Sequence, residues 1–353
     1  MTNRIIAAAA ALALATPVTA QEASDAPPSP GEIVAKASAE EWVAIPAEDL
    51  LVMSLAPDAQ GKAREVVIQL IPSPFSHGWV ENIRTLARAG WYDDIAVNRV
   101  QDNYVVQWGD PNYDNPEAEG EAKPLPDGLR VMREDEYTSA PSEETPTVFA
   151  FEDNRRPVPA GPCYWVEDES RYDCSAAPGL IKPPTSYEGE IGRYSVLEHF
   201  EGGWPVGFDF DRIWPVHCYG MVGVGRGMSP DTGSGAELYT VIGHAPRHLD
   251  RNIALVGRIV EGMEHLSSMP RGSGDLGFYT AEETHKRTPI LSVRVASDLS
   301  EGERPAFEYL STDGETFARY AEARANRRDP FFIVPAGGAD ICNIPVPIRR
   351  VSK

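Results

Sequence analysis

Short strand-like runs, separated by turns, are the feature that most restricts how this chain can fold. They occupy residues 50–55, 65–70, 104–107, 219–224, 238–242, 253–256 and 290–295. Within 65–70, every second position is strongly apolar, which is the period of a strand with one buried face. One segment, 79–89, has a clear helical period and ends at a glycine, and a weaker helix falls at 262–268. Short strands with one or two helices favour a mainly β fold, a closed antiparallel barrel capped by helices.

Two further segments lie outside this pattern. From 111 to 215, proline, glycine and acidic residues crowd together with only short apolar runs. A structureless loop of that length is unusual inside a compact domain, so we predict a large insertion with hairpin structure of its own. Near the end, Thr312 and Glu315 have the spacing of a capping box before a helical stretch that carries Phe317. The predicted organisation is a domain over 41–300, which contains the insertion, and a C-terminal extension over 301–353.

The N-terminus differs in kind from the rest of the chain. Arg4 precedes an apolar run over 5–15, and small residues follow up to Ala20. These are the parts of a secretory signal, and the run is short for a membrane span. We expect residues 1–20 to be a cleaved signal peptide and 21–40, rich in Ala, Pro and Ser, to be a flexible tether. The mature protein is then expected in the periplasm.

The charge balance limits the classes of partner. The chain has 53 acidic and 32 basic residues, for a net charge of −21. Nucleic acids are bound through lysines and arginines that neutralise phosphates, so this balance argues against them and against anionic membrane surfaces. It is typical of a soluble, self-repelling surface. We expect a monomer with no nucleic-acid partner and no membrane contact after signal cleavage.

Four cysteines, Cys163, Cys174, Cys218 and Cys342, permit two disulfides in an oxidising compartment. Sequence alone leaves three pairings open. Cys163 with Cys174 is favoured because the two lie close together in one loop-like segment. Their spacing does not match a zinc site, and the chain has no C-x-x-C motif for redox chemistry.

Two blocks of sequence carry the most information about function. The first, from Val80 to Pro111, reads VENIRTLARAGWYDDIAVNRVQDNYVVQWGDP. The second, from Pro230 to Met263, reads PDTGSGAELYTVIGHAPRHLDRNIALVGRIVEGM. The first resembles the V-E-N helix, R-V pair and Q-x-G-D motif of cyclophilin-type peptidyl-prolyl cis–trans isomerases, and the second resembles that family's N-G-S-Q-F-F strand, L-D turn and G-M turn. The resemblance covers roughly half of the chain and points to an exported bacterial member.

The resemblance implies a closed antiparallel eight-stranded cyclophilin-like barrel capped by two helices, and isomerisation of Xaa-Pro peptide bonds without a metal or cofactor. The rotation barrier of about 18–20 kcal/mol comes from amide resonance. A catalyst must therefore grip the proline ring and donate a hydrogen bond to the nitrogen of the twisted amide. Arg99, the arginine of the R-V pair, is the implied donor, and a guanidinium suits that role because it is permanently charged and rigid.

The remaining site residues follow from the same motifs. Gln107 is the implied glutamine that positions arginine and substrate, and it completes the catalytic pair. The implied substrate-binding residues are Tyr104, Val105, Gly225, Arg226, Glu237, Tyr239, His248 and Leu249. Among them Tyr104, Tyr239 and Leu249 line the proline pocket, and the backbone of Gly225 and Arg226 pairs with the substrate. The implied partners are proline-containing segments of exported proteins.

Several positions depart from the family's usual residues. Glu237 replaces a glutamine, His248 a tryptophan and Ile253 a histidine, while Asn98 replaces the histidine before the arginine. Trp108 stands at a position usually given to glycine, where it has the bulk to crowd or extend the site. Glu237 is placed to pair with Arg99 and neutralise part of its charge. These departures support an alternative function, a non-catalytic module that binds proline-containing segments or serves as a scaffold.

Two weaker patterns resemble metal-binding motifs, but neither motif is complete. His244 and His248 have the spacing of two metal ligands on a helix, but Pro246 lies between them. The acidic segment from Asp110 to Glu121 has part of a calcium-loop spacing but lacks the turn glycine and a preceding helix. We therefore predict no metal site.

Overall fold

The computed structural model describes residues 26–113, 118, 120–141, 150–152, 156–158, 164–166, 171–173, 194–195, 197–209 and 212–351. The strands in this part of the chain are β1 (Trp42–Ala44), β2 (Leu50–Leu55), β3 (Arg64–Leu70), β4 (Ile95–Val100), β5 (Val105–Gly109), β6 (Ala150–Glu152), β7 (Arg156–Val158), β8 (Tyr164–Val166), β9 (Arg171–Asp173), β10 (Leu197–Glu201), β11 (Trp204–Asp209), β12 (Arg212–Pro215), β13 (Met221–Val224), β14 (Leu238–Val241), β15 (Leu255–Glu261), β16 (Thr288–Val295), β17 (Phe307–Leu310) and β18 (Ile348–Arg350). The α-helices are α1 (Pro30–Ala35), α2 (His77–Arg88), α3 (Met263–Ser267) and α4 (Glu315–Ala325).

Eight of these strands close into a barrel in the order β13-β14-β5-β4-β16-β2-β3-β15, and every neighbouring pair is antiparallel. The predicted closed eight-stranded barrel is therefore confirmed. The burial of β2 explains why its sequence does not alternate. Leu51 and Met53 belong to the main core, whereas Leu50 and Val52 belong to a second core shared with Phe307 of β17. Both faces of β2 are covered, so both faces are apolar.

Helix α2 packs its apolar face on the barrel. Trp79, Ile83 and Leu86 are fully buried in the main core. The chain turns away just after the helix at Gly90, whose φ of +65° is a left-handed value that glycine adopts without steric cost. The glycine predicted to stop this helix therefore lies at its C-terminal end.

The predicted capping box at the start of α4 is wrong. The N-cap is Gly314, and it makes no side-chain capping bond. The hydroxyl of Thr312, which is buried, instead accepts a hydrogen bond from the backbone N–H of Gly203 at 3.2 Å. The threonine thus ties the extension to the β10–β11 turn.

The insertion has structure of its own in its described parts. Strands β6 and β7 form one hairpin, β8 and β9 another, and β10, β11 and β12 a three-stranded antiparallel sheet. That sheet packs on the extension, where the rings of Phe200 and Phe317 meet edge to face at 4.9 Å. Trp204 and Ile213 belong to the main core, so the end of the insertion is built into the barrel's packing.

Strands from before and after the barrel form one sheet. β1, β17 and β18 make a three-stranded sheet, so a strand that precedes the barrel pairs with the C-terminal extension. The predicted tether is structured from residue 30 onwards, because α1 begins there with a capping box between Ser29 and Glu32 and buries Ile33. Residues 1–25, with the predicted signal peptide, lie outside the described residues. Among the described residues, no helix is long and apolar enough to span a bilayer.

A disulfide joins Cys218, just before β13, to Cys342 in the extension, 124 residues away. It cross-links the barrel to the C-terminal layer. The favoured pairing of Cys163 with Cys174 lies outside the described residues.

Candidate active site

The backbone of β4 turns Arg99 toward β5. The register between these strands shifts between Val97 and Arg99, so Asn98 forms a bulge. Its side-chain amide donates to the carbonyl of Gly109 at 2.9 Å, which satisfies a backbone acceptor beside the irregularity. Beyond the bulge, Arg99 lies directly opposite Gln107.

Three oxygens hold the half-buried guanidinium of Arg99. Its Nε donates to the carbonyl of Leu276 at 2.7 Å, its Nη1 donates to Gln107 Oε1 at 3.0 Å, and its Nη2 donates to Gln101 Oε1. The guanidinium carbon also lies 5.6 Å from the ring centre of Tyr104 and 5.5 Å from that of Phe278. Burial lowers the pKa of Arg99 from its ordinary value, an effect opposed by nearby tyrosines. Arginine remains a cation at any physiological pH, so a fixed positive charge is presented here.

Next to Arg99 is a small apolar cluster that is separate from the main core. Val105, Tyr239, Val241 and Leu249 are buried together, and Tyr104 and Ile253 pack against them partly exposed. The exposed ring of His248 lies nearly parallel to that of Tyr104, with centres 6.2 Å apart. The structure thus brings together the aromatic and aliphatic residues predicted to line a proline pocket.

Gln107 links Arg99 to Glu237. The amide nitrogen of Gln107 lies 3.4 Å from Glu237 Oε2, a long hydrogen bond. Gln107 therefore stands between the guanidinium of Arg99 and the carboxyl group of Glu237. The space that Glu237 fills depends on Gly109, because a Cβ at that position would lie 1.8 Å from Glu237 Oε1.

Gly225 and Arg226 follow β13 at the edge of this site. The N–H of Gly225 donates to the carbonyl of Glu237 at 2.8 Å. The Arg226 side chain turns back, with Nε donating to the carbonyl of Asn252 at 3.0 Å. No described residue hydrogen-bonds the backbone N–H or carbonyl of Arg226, which suits the predicted pairing with an extended peptide.

Trp108 does not crowd the site. It is 1% exposed and lies in the main core with the barrel's interior residues. Neighbours on a strand point to opposite faces, so Gln107 faces the site while Trp108 faces inward.

Three partners of Arg99 were not predicted from the sequence: Gln101, Leu276 and Phe278. The latter two come from the segment 270–280, which runs beside β4 and donates from the N–H of Tyr279 to the carbonyl of Asn98 at 2.9 Å. Gln101 alone had a local signal, since it follows the R-V pair by one residue. Leu276 and Phe278 had none, because each lies more than 170 residues from Arg99 in the chain.

The chemistry that this arrangement supports is hydrogen bonding and electrostatics. A positive group with several hydrogen-bond donors stands beside an apolar cluster whose Tyr104 and Ile253 are partly exposed. In the described part of the chain, no group of three His, Cys, Asp or Glu residues is arranged to hold a metal ion.

Comparisons with known proteins identify the family and the fold. The model of the cyclophilin type peptidyl-prolyl cis-trans isomerase/CLD family matches residues 65–295. The crystal structure of the cyclophilin AquaCyp293 from Hirschia baltica is similar, with 18% identity, 89% of this chain and 98% of that chain covered, and a TM-score of 0.58. No curated protein matches the chain.

More distant similarity extends to two crystal structures of a cyclophilin-type peptidyl-prolyl cis-trans isomerase from Cryptosporidium parvum. The one obtained in the presence of the dipeptide Ala-Pro covers 69% of this chain and 98% of its own, with 9% identity and a TM-score of 0.33. The other covers 70% and 96%, with 11% identity and a TM-score of 0.34. Since the family model matches more than half of the chain, this protein belongs to the cyclophilin-type peptidyl-prolyl cis-trans isomerase family.

Proposed function

We propose that this protein catalyses cis–trans isomerisation of Xaa-Pro bonds in exported proteins, with Arg99 as the hydrogen-bond donor to the twisted prolyl amide. One observation carries the proposal. The Arg99 guanidinium is held by three oxygens at the edge of a separate apolar cluster. A guanidinium has more N–H groups than those three bonds use, so a donor remains for a substrate.

Arg99 and the apolar residues contribute to different steps, the arginine to the rate and the apolar residues to the affinity. A hydrogen bond from a charged donor contributes about 1.5–3 kcal/mol, equivalent to roughly 10- to 150-fold in rate. Arg99 is rigidly held, and it strengthens its bond only when the amide nitrogen becomes pyramidal, so this contribution falls on the transition state. Tyr104, Tyr239 and Leu249 bind the proline ring in both states and so set affinity.

The location and substrates follow from the N-terminal pattern. Residues 1–20 have the charge, apolar run and small-residue ending of a secretory signal. Prolyl bonds interconvert over tens to hundreds of seconds without help, which is slow relative to other folding steps. We therefore propose a periplasmic, monomeric enzyme that acts on proline-containing segments of exported proteins.

Exchange NMR on the mature protein with a short prolyl peptide tests this function. Wild type should accelerate the cis–trans exchange, and Arg99→Ala should lower kcat/KM about 10- to 150-fold. Arg294→Ala is the matched control, because Arg294 is also held by short bonds, to Asp93, but lies outside the site. Exchange at the buffer rate with both wild type and Arg99→Ala would refute catalysis.

Glu237 favours a second candidate, a module that binds proline-containing segments without turnover. Glu237 is 5% exposed, and its Oε2 accepts a long hydrogen bond from Gln107, the residue that also holds Arg99. In its ionised form this carboxyl group reduces the positive potential that Arg99 presents. If the protein binds the same prolyl peptide but the cis–trans exchange stays at the buffer rate, this candidate is supported.

A further inference from the structure

Tyr239, an aromatic residue of the apolar cluster, is the first member of a buried hydrogen-bonded chain of side chains that continues through His217 to Asp250. The hydroxyl of Tyr239 lies 3.0 Å from Nε2 of His217, and their rings are stacked within 13° of parallel. Nδ1 of His217 lies 2.9 Å from Oδ1 of Asp250. Tyr239, His217 and Asp250 are 4%, 1% and 4% exposed. Polar groups this deeply buried are costly unless each is paired, so their contacts constrain where each side chain can lie.

The direction of these hydrogen bonds follows from the acceptors. Oδ1 of Asp250 accepts from the backbone N–H of His217 at 2.9 Å as well as from the ring. Burial raises the pKa of Asp250, but His217 and Arg247 more than offset this, and the net pKa is below its usual value. The carboxylate is therefore an acceptor, so in the neutral imidazole of His217 the ring proton lies on Nδ1. Nε2 is then left to accept from the hydroxyl of Tyr239.

Arg247 holds the other end of this hydrogen-bonded chain, at Asp250. The Nε of Arg247 donates to Asp250 Oδ2 at 2.7 Å, and its Nη2 donates to Glu198 Oε1 at 2.5 Å. Glu198 belongs to β10, within the insertion, so the chain runs from the apolar cluster to the accessory sheet. Leu249, another member of the cluster, ends the 3-10 helix Arg247–Leu249, and Asp250 is its C-cap. Two residues of the cluster, Tyr239 and Leu249, are thus tied to the same hydrogen-bonded chain.

A glycine on β13 leaves room for this hydroxyl. A Cβ on Gly223 would lie 2.3 Å from the hydroxyl oxygen of Tyr239 and 2.4 Å from its Cζ. Gly223 lies opposite Tyr239 in the β13–β14 ladder. The tyrosine, its histidine partner and the facing glycine form one consistent arrangement.

We propose that His217 is a positioning residue: held by Asp250, it fixes the ring of Tyr239 as the floor of the proline pocket, and so sets the affinity for prolyl segments. The inference rests on the proposed function only in that Tyr239 contacts the prolyl ring. Because the floor meets the ring in both ground and transition states, loss of positioning raises KM and Kd and leaves kcat nearly unchanged.

A double-mutant cycle with the peptide Ala-Ala-Pro-Phe tests the proposal by NMR titration. His217→Leu leaves the Tyr239 hydroxyl buried without its acceptor, and Tyr239→Phe leaves His217 Nε2 without its donor. Each should weaken Kd about tenfold, with kcat within twofold of wild type. The double variant removes both ends of the same hydrogen bond, so its loss of affinity should equal that of one single variant and stay well below the sum of both. Asp250 keeps its bonds to Arg247 and to the backbone in every variant.

Tyr320→Phe is the matched control, since Tyr320 is a buried tyrosine outside the site whose hydroxyl donates to the carbonyl of Pro345 at 2.6 Å. It should leave Kd unchanged. Singles that bind as wild type does, or a double whose loss is the sum of both singles, overturn the proposal while leaving the Arg99 result intact. If wild type neither binds nor turns over the peptide, the proposed function fails and the positioning role with it.

A spectroscopic measurement decides the case where a variant does not fold. The long-range 1H–15N spectrum of wild type reports the tautomer of His217. A proton on Nδ1 in wild type supports the hydrogen-bonded chain from Tyr239 through His217 to Asp250. A proton on Nε2 overturns it.

Discussion

Replacing Gln107 by leucine tests whether Arg99 works only when it is held. Leucine keeps most of the volume of a side chain that is 9% exposed, but removes the acceptor of Arg99 Nη1, now at 3.0 Å. Leu276 and Gln101 still hold the other two nitrogens. The guanidinium is thus loosened rather than released.

The expected fall in kcat/KM follows from the number of hydrogen bonds that still hold Arg99. A hydrogen bond to a charged group contributes about 1.5–3 kcal/mol. Because two of three anchors remain, we expect the lower end, about 1.5 kcal/mol, or a tenfold fall in kcat/KM. The assay is exchange NMR on a prolyl peptide, with a protease-coupled measurement as a second readout. A kcat/KM within twofold of wild type would refute the argument.

Two comparisons distinguish a positioning role of Gln107 from a general loss of protein stability. If Gln107 acts through Arg99, Gln107→Leu in the Arg99→Ala background should change kcat/KM by less than twofold. Gln69→Leu is the matched control, because Gln69 is a buried glutamine that accepts from an arginine, Arg258 Nε, at 2.8 Å. It should lower the free energy of unfolding but leave kcat/KM unchanged.

Two further predictions concern stability. The pKa of Asp250 is held below its usual value because His217 and Arg247 outweigh burial, so its stabilisation is present above an unfolded-state pKa of about 3.9 and is lost as the pH falls through the lower folded value. Urea unfolding of Asp250→Asn should therefore show a weaker loss of stability from about pH 5 downwards than wild type, and equal slopes would contradict this. Cys342→Ser opens the cross-link to Cys218 across 124 residues, which loop entropy equates to about 5 kcal/mol of unfolding free energy. Denaturation with and without reductant measures it, and an unchanged midpoint would contradict the estimate.

The elements that the sequence predicted well are those whose pattern is local. The strand at 50–55 has the predicted bounds, and α2 begins two residues before and ends one residue before its predicted limits. Strand β4 was not predicted from periodicity, although it carries Arg99. Its bulge at Asn98 interrupts the two-residue alternation, so only the family's motif indicated its place.

Local patterns failed where a distant partner competed for the same group. The spacing of Thr312 and Glu315 predicts a capping box, yet the threonine hydroxyl binds the backbone of Gly203, 109 residues earlier. Composition predicted a flexible tether over 21–40, but Ile33 is buried in the core. Burial against another layer outweighs local preference in both cases, and a one-dimensional pattern does not contain that layer.

The sequence by itself determined the family and singled out Arg99 together with Tyr104, Val105, Tyr239 and Leu249, because contiguous motifs carry these residues. The structure gathers the last four in one cluster. Only the tertiary structure decided what holds them. Leu276 reaches Arg99 from 177 residues away. His217, Asp250 and Arg247 form a chain whose members are ordinary polar residues in sequence. A hydrogen bond is specified by distance and angle in space, and closing the barrel is what brings these groups within that distance.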